Sequence, residues 1–258
     1  MVVDDKRDAP VGKAALHGWP HRPLTEFYSD PRERPEYIAH LFNESARHYD
    51  WISSVLAFGS DRWYRRDALR KAGLAPGMRM LDVATGTGLV ARAALQLGIG
   101  SRDIIGLDPS AGMLLENSRT TGIQLLRGFG ERLPFRDEAF DFISMGYALR
   151  HVESLAALFA EFRRVLKPGG RVLVLEISRP ESPVMTGVLR MYMKTAMPLI
   201  ARLRTSSAEL RELLKYYWAT IEECVPPKTI VGELERAGFG KVERRRFGPM
   251  LNDYYAEK

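Results

Sequence analysis

Cysteine is nearly missing from this chain: 258 residues hold one, Cys224. No intrachain disulfide can form, which suits a reducing compartment, and no Cys-x-x-Cys or Cys/His spacing points to zinc. Long apolar runs are also missing. Nowhere do 18 consecutive apolar residues occur, so no helix is expected to cross a bilayer. The first residues, with Asp4, Asp5, Lys6 and Arg7, carry mixed charges and no apolar stretch, so no secretory signal is expected. No internal repeat or low-complexity segment is visible. These absences imply a cytoplasmic protein. What is present is ordinary for a globular domain: 45% hydrophobic and 27% charged residues. The length fits one large α/β domain with additions, or two small ones. The net charge of +6 comes from scattered Arg and Lys. A solvated basic surface outweighs a nucleic-acid or anionic-membrane footprint as its reading.

Residues 1–35 are rich in Pro, His, Arg and Asp, without periodicity. Pro10, Pro20, Pro23, Pro31 and Pro35 exclude a long helix, so an irregular tail is expected. Residues 36–77 read as a helical lid, with Ile38, Leu41, Phe42, Ala46 and Tyr49 at helical spacing and Gly59 as a break. Strand and helix then alternate over 78–179, ending in a near-continuous apolar strand over 171–177. Residues 180–227 break the rhythm with two helices, the first rich in methionine. Residues 228–258 resume it with a helix and two strands joined by so few residues that they must be antiparallel. The alternation predicts a parallel sheet with helices on both faces.

The chain turns on Met78-Arg-Met-Leu-Asp-Val-Ala-Thr-Gly-Thr-Gly-Leu-Val-Ala91, an apolar strand, a glycine-bearing turn and an alanine-rich helix. Glycine lets backbone approach a ligand, and the helix start presents free N–H groups. Gly86-Thr-Gly88-Leu-Val-Ala91 satisfies the dinucleotide fingerprint, with Asp108 further on. Two details turn it away from a nicotinamide dinucleotide. Asp82, inside the strand end, suits a cationic group such as an amino acid's ammonium. The other is the company this stretch keeps.

That company is Gly106-Leu-Asp-Pro-Ser-Ala-Gly-Met113, Glu131-Arg-Leu-Pro-Phe135, Phe140-Asp-Phe-Ile143 and Arg163-Arg-Val-Leu-Lys-Pro-Gly-Gly170. In this order the set resembles the class I S-adenosylmethionine (SAM) methyltransferases. The resemblance implies a Rossmann-like α/β fold, with a mostly parallel seven-stranded sheet, an antiparallel last strand and helices on both faces. It implies SAM as cofactor and no metal. Ala84, Thr85, Gly86 and Gly88 would hold the methionyl part beside Asp82. Asp108 would accept from the ribose hydroxyls, with Pro109 after it; a helix N-cap is its lesser alternative. Met113 either packs on the adenine or belongs to the core. Phe129 and Gly130 stand where the family usually has a small acidic or amide residue for the adenine amino group, so either backbone groups serve or Phe129 stacks. Glu131 and Met145 complete the expected cofactor wall.

A narrower resemblance rests on Phe42-Asn-Glu-Ser-Ala-Arg-His-Tyr-Asp50, Leu56-Ala-Phe-Gly59, Tyr147-Ala-Leu-Arg-His151 and Val174-Leu-Glu-Ile-Ser-Arg-Pro180. These stretches resemble the UbiE-like C-methyltransferases of ubiquinone and menaquinone biosynthesis. The implied acceptor is a small aromatic ring bearing hydroxyls. Arg150 would stabilise phenolate charge, and His151 would accept the proton; a capping or surface histidine is the equal alternative, since the family usually has Asn there. Tyr49 would close over the site, or simply pack. Met185, Met191, Met193 and Met197, with Arg190, Lys194, Arg202 and Arg204, suit a prenylated acceptor and peripheral membrane contact. The alternative is an ordinary cap on the sheet or a homodimer contact. An O- or N-methyltransferase shares the chemistry with another acceptor. A dehydrogenase and an inactive SAM-fold subunit are the more distant readings. No Asn/Asp-Pro-Pro-Tyr/Phe tetrapeptide follows the fourth strand, which speaks against a nucleic-acid substrate.

Overall fold

The computed structural model describes residues 24–56, 61–197, 199 and 208–258. Gly59, Arg202, Arg204 and residues 1–23 lie outside them. The first long helix, α1 (Arg34–Leu56), starts where Pro35 falls in the first turn, the position where a missing N–H costs nothing. Within residues 24–33, grouped with the tail by their composition, Tyr28 is buried, and its hydroxyl accepts from the Leu24 N–H at 2.9 Å. Leu24 and Phe27 join the same apolar cluster as α1. Helix α2 (Asp61–Lys71) follows.

The alternating part forms as its pattern demands: β1 (Met80–Val83), α3 (Leu89–Gln96), β2 (Ile104–Asp108), α4 (Ala111–Ser118), β3 (Gln124–Arg127), β4 (Phe140–Gly146), α5 (Leu155–Val165) and β5 (Leu166–Ile177). Then come α6 (Pro183–Met191), continued by a π-turn over Tyr192–Ala196, α7 (Ala208–Glu222), α8 (Pro227–Arg236), β6 (Gly240–Phe247) and β7 (Leu251–Glu257). β5 begins earlier than its apolar run, because the Gly169 N–H donates to Lys258 O and the Lys258 N–H to Gly170 O, extending the ladder through the glycines. Helix α6 also begins early: Ser182 caps it and Pro183 sits in its first turn.

The strands make one seven-stranded sheet in the order β3-β2-β1-β4-β5-β7-β6. β7 runs antiparallel to both β5 and β6, and the other pairs are parallel. The strand order reverses between β1 and β4, which opens a crevice at their carboxyl ends. One face of the sheet is buried by α5 and α8 through Phe159, Phe162, Ile230 and Leu234. The other is buried by α2 and α3 through Tyr64, Leu69, Ala91 and Ala94. A third cluster, of α1, α7 and the segment after α6, roofs the crevice with Leu41, Ile52, Met193, Met197, Tyr216 and Trp218.

Candidate active site

The turn after β1 is a hydrogen-bonded machine of small polar side chains. Ala84 and Gly86 have left-handed backbone, φ 52° and 55°. Thr85 donates through Oγ1 to Asp82 Oδ2 at 2.6 Å and accepts from Asn117 Nδ2 at 3.2 Å; Ser144 donates to Asp82 Oδ1 at 2.5 Å. Asn117 Nδ2 also donates to Gly86 O at 3.1 Å. Asp82 is fully buried, and burial pushes its pKa up to about 6 against those hydrogen bonds. It lines neither chamber of the crevice. In place of the direct ammonium contact expected of Asp82, the structure shows its carboxylate buried behind the turn, away from both chambers, bracing it through Thr85 and Ser144. Thr85 and Gly88 are likewise supports rather than walls. A Cβ at Gly88 would come within 2.6 Å of Asn117 and Thr121, so the glycine lets α3 close on α4.

Two adjoining chambers occupy the crevice. The outer, about 530 Å³, is lined by Pro109, Phe129, Gly130, Glu131, Met145 and His151 among others. That volume lies in the range of about 300–1,000 Å³ usual for small-molecule sites. The inner, about 90 Å³, is lined by Tyr49, Gly86, Asp108, Met113, Tyr147 and His151 among others. Ala84, Pro109, Ala148 and His151 belong to both, so the two are one site with a waist.

Asp108 stands at the inner wall, at the carboxyl end of β2. Its Oδ1 accepts from Ser110 N and its Oδ2 from Gly86 N, each at 2.8 Å. Each oxygen keeps a second lone pair. Burial lifts its pKa to about 6 despite these donors. The helix-cap alternative falls away, because Ser110 caps α4 by accepting from Met113 N at 3.1 Å. Met113 is at once buried and part of the inner wall. Phe129 stands 55% exposed at the outer chamber. Glu131 faces the same chamber while its Oε1 accepts from Glu153 N at 2.8 Å.

Arg150 is the main correction on the acceptor side. Its side chain is 0% exposed, with Nη1 2.6 Å from Glu176 Oε1 and Nε donating to Thr220 at 3.1 Å. The guanidinium stacks 4.4 Å from the Tyr217 ring centroid. It lines neither chamber and cannot touch an acceptor there. His151, its neighbour, lines both. The His151 ring stacks on Tyr216 at 5.6 Å and meets Phe42 edge-on at 5.3 Å, with Nδ1 3.4 Å from the Tyr216 hydroxyl. The Tyr49 hydroxyl is held well above the ordinary tyrosine pKa by burial, and the Tyr217 hydroxyl beside it adds to the rise. It stays protonated and can donate.

Sequence reasoning passed over the residues that fasten the roof. Asn43 Oδ1, on α1, accepts from Ser110 Oγ at 2.7 Å and Gly112 N at 2.9 Å. Asp50 accepts from Thr87 Oγ1 and pairs with Arg92 at 2.5 Å. Asn43 and Asp50 flank Tyr49 within the quoted stretch 42–50, and their polar type on a helix face was the available signal. Tyr147, left-handed at φ 59° with Arg65 5.0 Å from its ring centroid, opens the quoted stretch 147–151, but no role was read for it there.

The profile described as the ubiE/COQ5 methyltransferase family matches residues 31–251. The demethylmenaquinone methyltransferase of Mycobacterium sp. (strain KMS) is 32% identical over 213 residues, covering 83% of this chain and 90% of that protein. That of Staphylococcus aureus (strain MRSA252) is 32% identical over 192 residues, 72% of this chain and 79% of that protein. Among solved structures, a SAM-dependent methyltransferase of Thermotoga maritima, described as a possible histamine N-methyltransferase, superposes with TM-score 0.60 at 21% identity, covering 85% of this chain and 99% of that one. A SAM-dependent methyltransferase of Aquifex aeolicus gives 0.59 at 17%, covering 83% and 97%. At such identities these structures speak for the fold.

Proposed function

This chain belongs to the ubiE/COQ5 methyltransferase family, and from that premise we propose that it methylates a ring carbon of a demethylated quinol, using SAM held across the two chambers. The observation that carries this reading is Asp108: a carboxylate at the chamber wall, positioned by two backbone N–H groups, with one acceptor position left on each oxygen. A vicinal diol such as ribose fits that pair. Ala84 and Gly86 would receive the methionyl end, and Phe129, Gly130, Pro109 and Met145 would flank the adenine in the outer chamber. The sulfonium of SAM supplies an electrophilic methyl group; the chain's own task is alignment and proton handling.

A ring carbon becomes nucleophilic when a neighbouring hydroxyl loses its proton. His151, at the waist, would take that proton, and Tyr49, kept protonated, would donate a hydrogen bond to the oxygen left behind; both line the inner chamber, which supports this reading. Arg150 contributes its charge only through the tyrosines it touches. Phe42 and Tyr49 line the inner chamber and pack against the cluster that holds Met193, Met197 and the aromatic α7 side chains, and the pliancy of methionine would let that cluster open a path for an isoprenoid tail. Calorimetric titration with SAM tests the site. Asp108→Asn keeps the shape and removes the charge, so binding weakens by about ten- to a hundredfold, as expected for a charge-assisted pair. Equal affinity in both proteins removes Asp108 from the site.

A further inference from the structure

Helix α6 and its continuation are apolar on two faces, and only one is covered. On the inner face Thr186, Met193 and Met197 are buried, and Leu189 packs with them against Tyr217, Trp218 and Ile221. On the outer face Val184 is 77% exposed, Val188 53%, Met191 64% and Leu199 60%. Positions 184, 188, 191 and 199 fall at helical spacing on one stripe. Helices that are hydrophobic all round belong in an apolar environment, so this stripe asks for a cover that the described residues do not supply.

Charge says which cover. From Ser182 to Ala208 the sequence holds no acidic residue and four basic ones, Arg190, Lys194, Arg202 and Arg204. Lys194 is exposed beside the stripe, and Arg190 is held by Glu222 at 2.6 Å. A second copy meeting this stripe would set Lys194 against Lys194, with no acid in the segment to answer. An anionic bilayer answers both features: the stripe sinks to acyl depth while lysine stays at the headgroups.

We propose that the Val184–Val188–Met191–Leu199 stripe docks this protein on the surface of a bilayer containing anionic lipid. The inner face of the same helix packs on α7 through Met193, Met197, Tyr217 and Trp218, and Tyr216 of α7 stacks on His151 at the waist, so docking would bring the proposed site close to the lipid. The tail path rests on the quinol reading; the docking does not.

The test is co-sedimentation of the full chain with phosphatidylcholine vesicles, with and without phosphatidylglycerol. The wild type is compared with the double variant Val188→Glu, Met191→Glu and with Lys194→Glu. SAM calorimetry and sedimentation velocity run in parallel on each. The proposal expects wild type to pellet with the anionic vesicles, the double variant to lose at least about tenfold in partitioning, and Lys194→Glu to fall between. SAM affinity and oligomeric state should stay unchanged throughout. Wild type left in the supernatant, or a double variant that pellets as well as wild type, overturns it. So does a wild-type dimer that the double substitution dissolves, which would make the stripe a self-contact. Failure of wild type to bind SAM would count against the catalytic reading and leave the vesicle result standing.

Discussion

At the scale of single residues, the site is governed by two buried carboxylates doing different work. Asp82 lines neither chamber; it ties Thr85 and Ser144 behind the turn in which Ala84 and Gly86 have left-handed backbone. Asp108 stands at the wall of the inner chamber and, in the proposed reading, meets the ligand directly. Burial lifts both from the ordinary 3.8 to about 6, and the sign has two consequences. A carboxyl with a raised folded-state pKa contributes stability that is fully present below 3.8 and is lost as pH rises through about 6. These two groups therefore favour the ligand-free fold more at mild acidity. SAM binding goes the other way, because a protonated Asp108 cannot accept from both ribose hydroxyls. Calorimetry from roughly pH 7.5 to 5 should show affinity falling as pH drops through about 6 in wild type and a flatter profile in Asp108→Asn. A wild-type affinity independent of pH across that window would show that Asp108 is already ionised throughout, or is not a ligand. The residue types here were legible from sequence, since acids at strand ends mark diol and amine sites. Which acid faces the chamber was not, because that depends on where Ser144, from another strand, and Asn117, from a helix, reach in space.

At the scale of elements, Arg150 shows how far local order can mislead. A cation after the fourth strand, beside a histidine, reads as catalytic. Its destination was set by Glu176 on β5 and Thr220 on α7, distant in sequence. The pair instead fastens the end of β4 to β5 and α7. Glu176 receives three donors: Nη1 and the backbone N–H of Arg150, and the N–H of Ile177. Breaking a buried pair leaves one charge uncompensated, at a cost of about 3–5 kcal/mol, whereas replacing both with apolar residues is often neutral. Arg150→Met alone should lower urea-unfolding stability by that amount, and Arg150→Met with Glu176→Met should recover most of it. A single variant as stable as wild type with activity abolished would return Arg150 to the chemistry. The roof α1 follows the same rule. Its apolar spacing announced a helix, but its attachment to the start of α4 through Asn43 and to the turn after β1 through Asp50 emerged only in three dimensions.

At the scale of the whole molecule, the sheet was largely readable. Apolar runs gave the strands, glycines gave the turns, and the short link before β7 required an antiparallel end. Composition announced an irregular segment before α1, and residues 24–33 are irregular and mostly exposed, but it gave no sign that Phe27 and Tyr28 would find aromatic partners on α7 and α1. The strand order places the reversal between β1 and β4, and the groups that line the inner chamber meet at that opening: Asp108 from the end of β2, Gly86 from the turn after β1, Tyr49 from α1, and His151 at the waist. The account stands on what this opening does. Incubation with methyl-labelled SAM and a reduced demethylmenaquinone, followed by mass spectrometry of the fragmented product, tests it most directly. The predicted result is one labelled methyl on a ring carbon, with transfer greatly reduced in His151→Ala although SAM still binds. A label on oxygen, or no transfer from a protein that binds SAM, would contradict it.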